Sequence, residues 1–471
     1  MKLSALSPLD AAFLQVESDA TPTHVAGLMV FDLPEGADAD FVAGIVQRFR
    51  ASTVFTAPWN KALVTPRRRQ LLTRVHEVHD LDMEYHVRHL ALPRPGGERE
   101  LGQLIARLHS QAMDLRKPLW ECHIIEGLGA AIDPVRGSPL SAGRFAIYLK
   151  LHHCMADGVS ATRMLLRALT TRADDPDQLP FWAVQTPERA GGLKASSVKP
   201  APIKLGDYAT LVREAGRIWF ARGDDHDVSL RTAPRSILNE RVHAERRFAT
   251  HAEPVSRLKA IAKAADASLN DIVLAATGMA LRNYLTDRDA LPGTGLVASI
   301  PVSLRDADDQ SAGNAVAMIF ASLGTHIADD RKRLEVIKAS AANAKARLQK
   351  LPPALRKTQV SLVFSPFIAS LVTGLGGRIR PSFNVMVSNV PGTSEDRYLY
   401  GARLAHIYPV SIPFHGVALN VTCLSHAGTL NFGLTACRDS LPHMQQMAVG
   451  IGQAIDRLEA LYVGAGAPKV A

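Results

Sequence analysis

The sequence predicts an α/β (α+β layered) fold in which two domains are joined by a linker. The chain has 471 residues, which is longer than a single hydrophobic core usually organises. Strand-like alternation and helix-like spacing of apolar residues follow one another in residues 1–185 and again in residues 241–471. Residues 186–240 carry several prolines and glycines and one helical pattern, as expected for a linker.

The first domain opens with a capped helical segment at residues 6–14. Further patterns predict a strand at residues 24–31 and amphipathic helices at residues 40–50 and 98–111. Pro118, Leu119 and Trp120 then lead into a strand. We expect this strand to pair close to the next one along the chain, which carries two histidines.

The clearest pattern in the sequence is a strand that ends in two histidines and is followed by a loop and a helix. Residues 144–151 alternate with period two, and the apolar residues on one face are Phe145, Ile147, Leu149 and Leu151. Continued register places His153 on the apolar face and His152 on the opposite face. Gly158 then breaks the chain before a helix. The pattern therefore predicts a strand, a short loop and a helix, with His153 facing an apolar interior.

His153 has two chemical interpretations once a metal site shared with His152 is excluded. Adjacent histidines on a strand point to opposite sides, so His152 and His153 are poor joint ligands and no metal site is predicted. A neutral His153 could instead take a proton from a hydroxyl or amine that attacks a carbonyl. The alternative is a hydrogen-bonded core histidine without a catalytic role. Asp157 and Gly158, which complete the pattern His-His-x-x-x-Asp-Gly, favour the general base.

The second domain is predicted to begin with a strand near residue 246, followed by helices at residues 253–264 and from Ser268 onward. Ser268 and Asp271 have the spacing of a capping box, which would explain both residues structurally. Asn270 lies between them and could direct its amide at developing negative charge beside the helix N-terminus. The residues alone leave both interpretations of Asn270 open.

Strands are predicted at residues 296–304, 315–323, 383–392, 407–412, 417–424 and 430–436, with helices at residues 334–351 and 442–461. The glycine-rich residues 293–298 resemble a dinucleotide fingerprint but precede a strand, so we reject that interpretation. The sequence contains neither a Gly-x-Ser-x-Gly elbow nor a P-loop, which argues against a serine hydrolase or an NTPase.

Composition narrows the class of partner. The net charge of +9 favours an anionic surface or a phosphate-bearing molecule. Aromatic residues make up only 6% of the chain and no nucleic-acid-binding motif is present, so no nucleic-acid partner is predicted. The four cysteines lack CxxC spacing and are typical of reduced intracellular thiols.

The predicted location is the cytoplasm with peripheral contact to a lipid surface. The first residues lack a signal-peptide core. Residues 358–377 form an uncharged run, which we interpret as a buried helical pair because serines and a proline interrupt it. The candidate contacts are the basic cluster at residues 67–69 and the side of helix 334–351 predicted to be exposed, with Lys338, Lys345, Arg347 and Lys350.

Four motifs occur in one order: Pro118-Leu119-Trp120, the His152–Gly158 pattern, Asn270-Asp271, and Asn-Val-Pro-Gly at residues 389–392. Together with Leu-Ser-Pro-Leu-Asp at residues 6–10, they resemble the bacterial wax ester synthase/acyl-CoA:diacylglycerol acyltransferase family. The resemblance extends over residues 6–461. The histidine pattern alone also resembles condensation domains of nonribosomal peptide synthetases.

The resemblance implies two chloramphenicol-acetyltransferase-like domains with an active-site tunnel between them. It implies long-chain acyl transfer from acyl-CoA, used as a co-substrate with no bound cofactor, to a fatty alcohol or to diacylglycerol. His153 would be the general base, Asp157 would order the loop, and Asn270 and Asp271 would lie near the site. The candidate catalytic residues are accordingly His152, His153, Asp157 and Asn270. The candidate substrate-binding or structural residues are Pro118, Leu119, Trp120, Gly158 and Asp271. Two departures, Cys154 and Thr393, leave the local shape and the chain-length preference open.

Two rival functions follow from the same residues. One is a condensation-like enzyme that uses carrier-protein thioesters and amine acceptors, although no carrier or adenylation segment is appended in the sequence. The other is a non-catalytic lipid-surface protein that kept the fold. The intact His153-x-x-x-Asp157 pattern argues against it.

Overall fold

The computed structural model describes residues 3–68, 73–129, 143–156, 158–185, 205–220, 222–303 and 316–464. Within these ranges the strands are β1 (Leu3–Ala5), β2 (His24–Asp32), β3 (Lys61–Leu63), β4 (Arg74–Glu77), β5 (Val87–Ala91), β6 (Trp120–Leu128), β7 (Arg144–His152), β8 (Arg246–Pro254), β9 (Val297–Ser303), β10 (Val316–Ser322), β11 (Val385–Thr393), β12 (Tyr398–Leu399), β13 (Ala402–Val410), β14 (Leu419–His426) and β15 (Thr429–Cys437). The helices are α1 (Pro8–Val16), α2 (Phe41–Arg50), α3 (Met83–His86), α4 (Glu98–Ser110), α5 (Gly158–Ala168), α6 (Leu205–Phe220), α7 (Val255–Ala264), α8 (Leu269–Thr286), α9 (Asp330–Gln349), α10 (Pro353–Val372) and α11 (Gln445–Tyr462).

Two six-stranded mixed sheets organise the described chain. The first has the order β12-β13-β2-β7-β6-β5, and the second has the order β10-β9-β11-β14-β15-β8. A small sheet, β1-β4-β3, accompanies the first. Helices pack on these sheets in layers, so the predicted α/β layered class is confirmed. The histidine strand β7 lies in the middle of the first sheet, between β2 and β6.

The first sheet includes strands from the far end of the chain. β13 runs antiparallel to β2, with Val410 opposite Ala26 and Arg403 opposite Asp32. The divisions at residues 185 and 240 stay predictions, but the predicted second domain contributes β12 and β13 to the sheet of the first. Local patterns predict that a strand exists without specifying which strand it pairs with. The sequence therefore did not show that β12 and β13 join the first sheet.

Both faces of β7 are covered. The face that carries Phe145 and Ile147 packs against α2 and α5. The opposite face, with Ala146 and Tyr148, packs against α4 and against Phe248 of β8 in the second sheet. The second sheet buries its largest cluster beneath α8, α9 and α11. The histidine strand therefore lies between the helices of its own layer and the second sheet unit.

Two predicted elements need correction. Residues 358–377 do not form a helical pair, because α10 continues through Pro366 as one helix and keeps an exposed side. None of the helices in the described ranges combines the length and the apolar character that crossing a membrane requires. The predicted helix at residues 253–264 begins at Val255, since Glu253 pairs with Leu430 within β8.

The predicted basic surfaces are also partly wrong. Arg347 is buried and forms an ion pair with Asp227, so it does not belong to an exposed side of α9. Lys338 is half-buried and donates to the carbonyl oxygen of Ala265 at 3.1 Å. In the basic cluster, Arg68 is paired with acidic residues, and Arg69 lies outside the described residues. The sequence predicted where these basic side chains lie in the chain, but not which groups they would contact in the fold.

Candidate active site

The backbone of both histidines is held by neighbouring strands. β7 ends at His152, and residues 153–155 form the turn that follows. The amide of His152 donates to the carbonyl oxygen of Leu119 at 3.0 Å, and the amide of His153 donates to that of Thr23 at 2.9 Å. The junction is therefore built by the segment before β6, by the segment before β2, and by β7 itself.

The His152 ring is fully buried, and both of its nitrogens are engaged. Its Nε2 lies 3.1 Å from Oγ1 of Thr23 and 3.4 Å from Oε2 of Glu17. Its Nδ1 accepts a hydrogen bond from the amide of Cys154 at 3.1 Å. Since an acceptor nitrogen must keep its lone pair, the hydrogen of the neutral ring lies on Nε2 and is directed at Thr23 and Glu17.

The charge state of His152 is subject to opposing effects. Burial lowers the pKa of the His152 ring, whereas Cys154 and the carboxylate of Glu17 raise it. Cys154 has this effect only if its thiol is ionised, whereas the amide that donates to Nδ1 is a fixed main-chain donor. We therefore assign the neutral Nε2–H tautomer.

Glu17 is a buried carboxylate that the sequence analysis did not identify. It follows α1 and lies 3.6 Å from Nε of Arg68, whose Nη1 is 2.6 Å from Asp19. It approaches His152 across 135 positions of sequence. The only available signal was an acidic residue directly after an apolar helix, and that pattern does not specify a partner.

His153 has a different environment. It is half-buried, and its ring stacks on Phe13 of α1 with centroids 3.8 Å apart and planes inclined by 19°. The hydroxyl of Thr23 donates to the carbonyl oxygen of Phe13 at 3.1 Å. Since Thr23 also accepts from His152, one hydroxyl connects the buried histidine to the residue that supports the other. Phe13 and Thr23 were likewise missed in the sequence analysis.

The Pro118-Leu119-Trp120 motif lies directly beside the histidine junction. The Leu119 side chain shares a buried cluster with Cys154. Nε1 of Trp120 donates to the carbonyl oxygen of Trp59 at 2.8 Å, and His86 stacks on the Trp120 ring at 4.3 Å. These contacts fix the start of β6 against β7. Of the two predicted roles, they support the structural one, and substrate binding by the motif stays a prediction.

Two further predicted site residues follow the histidine turn in the chain. Asp157 lies outside the described residues. Gly158 opens α5, and its carbonyl oxygen accepts from Oγ1 of Thr162 at 2.8 Å. The histidines, Gly158 and the Pro118–Trp120 motif are thus brought together at one end of β6 and β7.

Asn270 and Asp271 lie in the second sheet unit, at the first turn of α8. The predicted capping box is present, because the Ser268 amide donates to Oδ2 of Asp271 at 2.9 Å and the Asp271 amide donates to Oγ of Ser268 at 3.2 Å. Asn270 is half-buried in the same turn. Its role as an oxyanion donor stays a prediction.

A continuous apolar cluster leads away from the stacked histidine. Phe13 packs on the edge of this cluster, which extends through Phe320, Phe383 and Phe367. On its far side lies a cavity of about 220 Å³. Its apolar lining residues are Trp219, Leu230, Pro366, Phe367, Ile379, Pro381 and Phe383. Its polar side chains are Asn239, Ser370, Arg380, Ser382 and His415. The apolar side chains offer contacts to a hydrocarbon chain.

Comparisons with known proteins agree with this architecture. The model of the wax ester synthase/diacylglycerol acyltransferase catalytic domain matches residues 6–273, and that of the family's C-terminal domain matches residues 312–459. An O-acyltransferase of Acinetobacter baylyi is 37% identical, with 96% of each chain covered. A Mycobacterium tuberculosis protein named as a candidate diacylglycerol O-acyltransferase is 40% identical, with 98% of each covered.

Solved structures show the same relationship. The wax ester synthase/diacylglycerol acyltransferase of Marinobacter aquaeolei matches with a TM-score of 0.76 and 34% identity, covering 98% of this chain and all of that one. A condensation domain of the calcium-dependent antibiotic synthetase matches with a TM-score of 0.57 at 15% identity, which shows a shared fold alone. The chain belongs to the wax ester synthase/diacylglycerol acyltransferase family of O-acyltransferases.

Proposed function

We propose that this protein transfers a long-chain acyl group from coenzyme A to the hydroxyl of a fatty alcohol, giving a wax ester, or of diacylglycerol, giving triacylglycerol. The observation that carries the proposal is the position of His153. Its ring lies on Phe13 at the edge of an apolar cluster, next to a junction that fixes its backbone. The chain belongs to a family of acyltransferases, and this supports acyl transfer as the reaction in which His153 acts.

The proposed step is a direct attack. His153 takes the proton of the acceptor hydroxyl, and the oxygen adds to the thioester carbonyl. The carbon–sulfur bond then breaks, and the thiolate of coenzyme A receives the proton from His153. Asn270 or a nearby backbone amide would stabilise the oxyanion. No covalent acyl-enzyme is needed, because the ester forms in one addition and one elimination.

His152 is better suited to positioning than to proton transfer. Its Nδ1 accepts from the amide of Cys154, and its Nε2–H is directed at Thr23 and Glu17. Neither nitrogen is available to a substrate hydroxyl while these contacts hold. Their effect is to fix the turn that presents His153. These contacts argue against His152 as the general base.

The lipid chains have an apolar route. The aromatic side chains between Phe13 and the 220 Å³ cavity offer contacts for a hydrocarbon chain that reaches the histidine from that side. The net charge of +9 suits the phosphates of coenzyme A and an anionic lipid surface, and no nucleic-acid partner is proposed. We place the enzyme in the cytoplasm, in peripheral contact with a membrane or with lipid inclusions, where its water-insoluble acceptors reside.

Product analysis with labelled palmitoyl-CoA tests this function. Purified protein is offered hexadecanol, diacylglycerol, or an amine, and a palmitoyl-carrier protein replaces palmitoyl-CoA in a parallel series. We expect labelled wax ester or triacylglycerol from the CoA donor and no amide. Amide formed from the carrier-protein donor would support the condensation-like alternative. Absence of any product would support the non-catalytic alternative.

A further inference from the structure

Large exposed apolar side chains concentrate on one pair of helices. α6 packs against α10 through buried Leu211, which contacts Leu351 and Leu355. On their outer sides, several large apolar residues remain exposed: Tyr208, Val212 and Phe220 on α6, and Leu362, Val372, Leu375 and Ile379 on α10 and the turns after it. Val212 and Phe220 are 70% and 73% exposed. An apolar surface of this kind usually meets a partner or a lipid.

The spacing of the exposed apolar residues places them on a common side of each helix. Tyr208, Val212 and Phe220 are separated by four and eight positions, so they share one face of α6. On α10 the exposed residues Leu362 and Val372 share one side with small uncharged residues, namely Ser361, Ser365, Ala369 and Thr373. Residues 358–377 contain no charged side chain at all. A helix surface that faced only water would be expected to carry charges along this length.

Basic residues border this apolar surface. Arg213 is exposed beside Val212, and Arg378 and Arg380 are exposed after α10. Nearby Arg217 is instead paired with Asp227. An apolar surface with a positively charged margin is complementary to an anionic phospholipid bilayer, where the arginines meet headgroups and the apolar side chains reach the acyl boundary.

We propose that the outer face of α6 and α10, with the turn through Arg380, is the surface by which this protein docks on anionic phospholipid membranes. The inference rests on the proposed function, because an acyltransferase with water-insoluble acceptors must take them from a lipid phase. It replaces the basic cluster at residues 67–69 and the side of α9 as the expected contact, since Arg68 and Arg347 are already paired.

The cavity lies next to the proposed docking surface, which supports that assignment. Trp219 and Ile379, which line the cavity, adjoin the exposed Phe220 and Arg378. Phe367 forms its wall from the inner side of α10 and belongs to the apolar cluster that reaches Phe13. A lipid that left the docked membrane here would enter an apolar environment without crossing bulk water.

A native fluorophore reports on the proposed contact. The chain has four tryptophans, and Trp59, Trp120 and Trp182 are buried at 1%, 1% and 0% exposure. Trp219 is half-exposed on α6, next to Phe220. Docking should therefore shift Trp219 emission to shorter wavelength, and brominated phosphatidylcholine mixed with phosphatidylglycerol should quench it. Trp219→Phe should remove this response. Vesicle sedimentation that leaves Trp219 unquenched would overturn the proposal.

Serine substitutions test whether the apolar residues of α6 and α10 contribute to vesicle binding. We expect Val212→Ser/Phe220→Ser/Val372→Ser to weaken sedimentation with phosphatidylglycerol-containing vesicles by about tenfold or more. The matched control is Val54→Ser/Val449→Ser, at positions 58% and 61% exposed on other elements, which should bind like the parent protein. Equal losses in the two variants, or parent-like binding by the triple variant, would contradict a docking face on α6 and α10.

The basic margin is tested separately. Arg213→Gln/Arg378→Gln should weaken binding by about fivefold per arginine at low salt. The difference should vanish at about 1 M salt, where the Debye length falls to about 3 Å, and with phosphatidylcholine alone. Equal loss on neutral vesicles would contradict the electrostatic part. Turnover of octanoyl-CoA with a soluble short-chain alcohol should be unchanged in the serine and glutamine variants, because none of the substituted residues lines the cavity. A parent protein that docks but lacks turnover would refute the proposed function and leave the docking surface standing.

Discussion

Two neighbouring histidines have opposite environments in this protein. His152 is enclosed by Glu17, Thr23 and the amide of Cys154, while His153 lies half-buried on Phe13. The strand pattern predicted that the two side chains would separate, and the reason for the separation lies in residues far from both in sequence. The different contacts lead to different consequences of substitution.

We expect His152→Ala to lower both thermal stability and activity. The substitution leaves the amide of Cys154 without its acceptor and Glu17 with Arg68 alone, and a buried unsatisfied group costs about 1–3 kcal/mol. His152→Asn, whose amide oxygen can accept from Cys154, should recover part of the stability. Thermal unfolding followed by circular dichroism measures both. An unchanged melting temperature in His152→Ala would show that the positioning role is wrong.

Glu17→Ala should destabilise the protein by about 1–3 kcal/mol, because it removes the acceptor for His152 and a partner of Arg68. Glu17→Gln keeps an acceptor oxygen and should cost less. Asp19→Ala is the matched control, since Asp19 also pairs with Arg68 but its side chain is 94% exposed. Chemical denaturation compares the three variants. A loss in Asp19→Ala as large as that in Glu17→Ala would contradict the importance of burial.

At the scale of elements, β6 and β7 are joined by a buried ion pair as well as by their ladder. Nζ of Lys150 lies 3.0 Å from Oε2 of Glu121 and also donates to the carbonyl oxygens of Leu108 and Gln111. Burial raises the pKa of Glu121, but His123 and Lys150 outweigh it and lower the pKa to about 2. Glu121 therefore stays ionised beside Lys150 at neutral pH.

The lowered pKa of Glu121 sets the direction of a pH effect. Its contribution to stability is complete above the ordinary carboxyl pKa of about 4.3 and is lost as the pH falls toward 2, because the unfolded chain binds the proton first. Glu121→Ala should cost about 3–5 kcal/mol at pH 7, since it leaves Lys150 charged and buried. Glu121→Leu/Lys150→Met should recover most of that loss. Denaturation at pH 7 and pH 3 measures these differences, and equal instability of the single and double variants would contradict the pairing.

Most elements were predictable because their signals are local. The caps of α1 and α8 and the alternation of β7 appear in the sequence and again in the structure. The unbroken α10 was not predicted, because a proline is expected to interrupt a helix and tertiary packing overrides that tendency here. Helical spacing also placed Arg347 on the exposed side of α9, although Asp227 draws it into the interior.

At the scale of the whole molecule, β13 connects the two sheet units, because it comes from the second half of the chain and pairs in the first sheet. β13 follows α10 in the chain but pairs with β2 of the first sheet. We therefore expect one cooperative unfolding transition by calorimetry, with the calorimetric and van't Hoff enthalpies in agreement. Two resolved transitions would contradict the coupling. A fragment of residues 1–240 serves as a control and should not fold, because the edge of β2 would be left unpaired.

The site was predictable only where its residues are close in sequence. The histidines and the Pro118–Trp120 motif were identified and do lie together at the ends of β6 and β7. Glu17, Thr23 and Phe13 were missed, because a carboxylate, a hydroxyl and a phenyl ring gain their roles only through pairing across the fold. The exposed face of α6 and α10 was missed for a related reason, since apolar residues alone do not show which of them packing leaves uncovered.

The central claim is that His153 is the base in acyl transfer, and the initial rate of His153→Ala tests it most directly. The measurement is wax ester formation from palmitoyl-CoA and hexadecanol, with the melting temperature recorded on the same preparation. We predict a rate about 10²–10⁴-fold below that of the parent protein, with a nearly unchanged melting temperature, because His153 is half-buried and contributes few core contacts. A folded His153→Ala protein that retains its rate within about tenfold would contradict the claim.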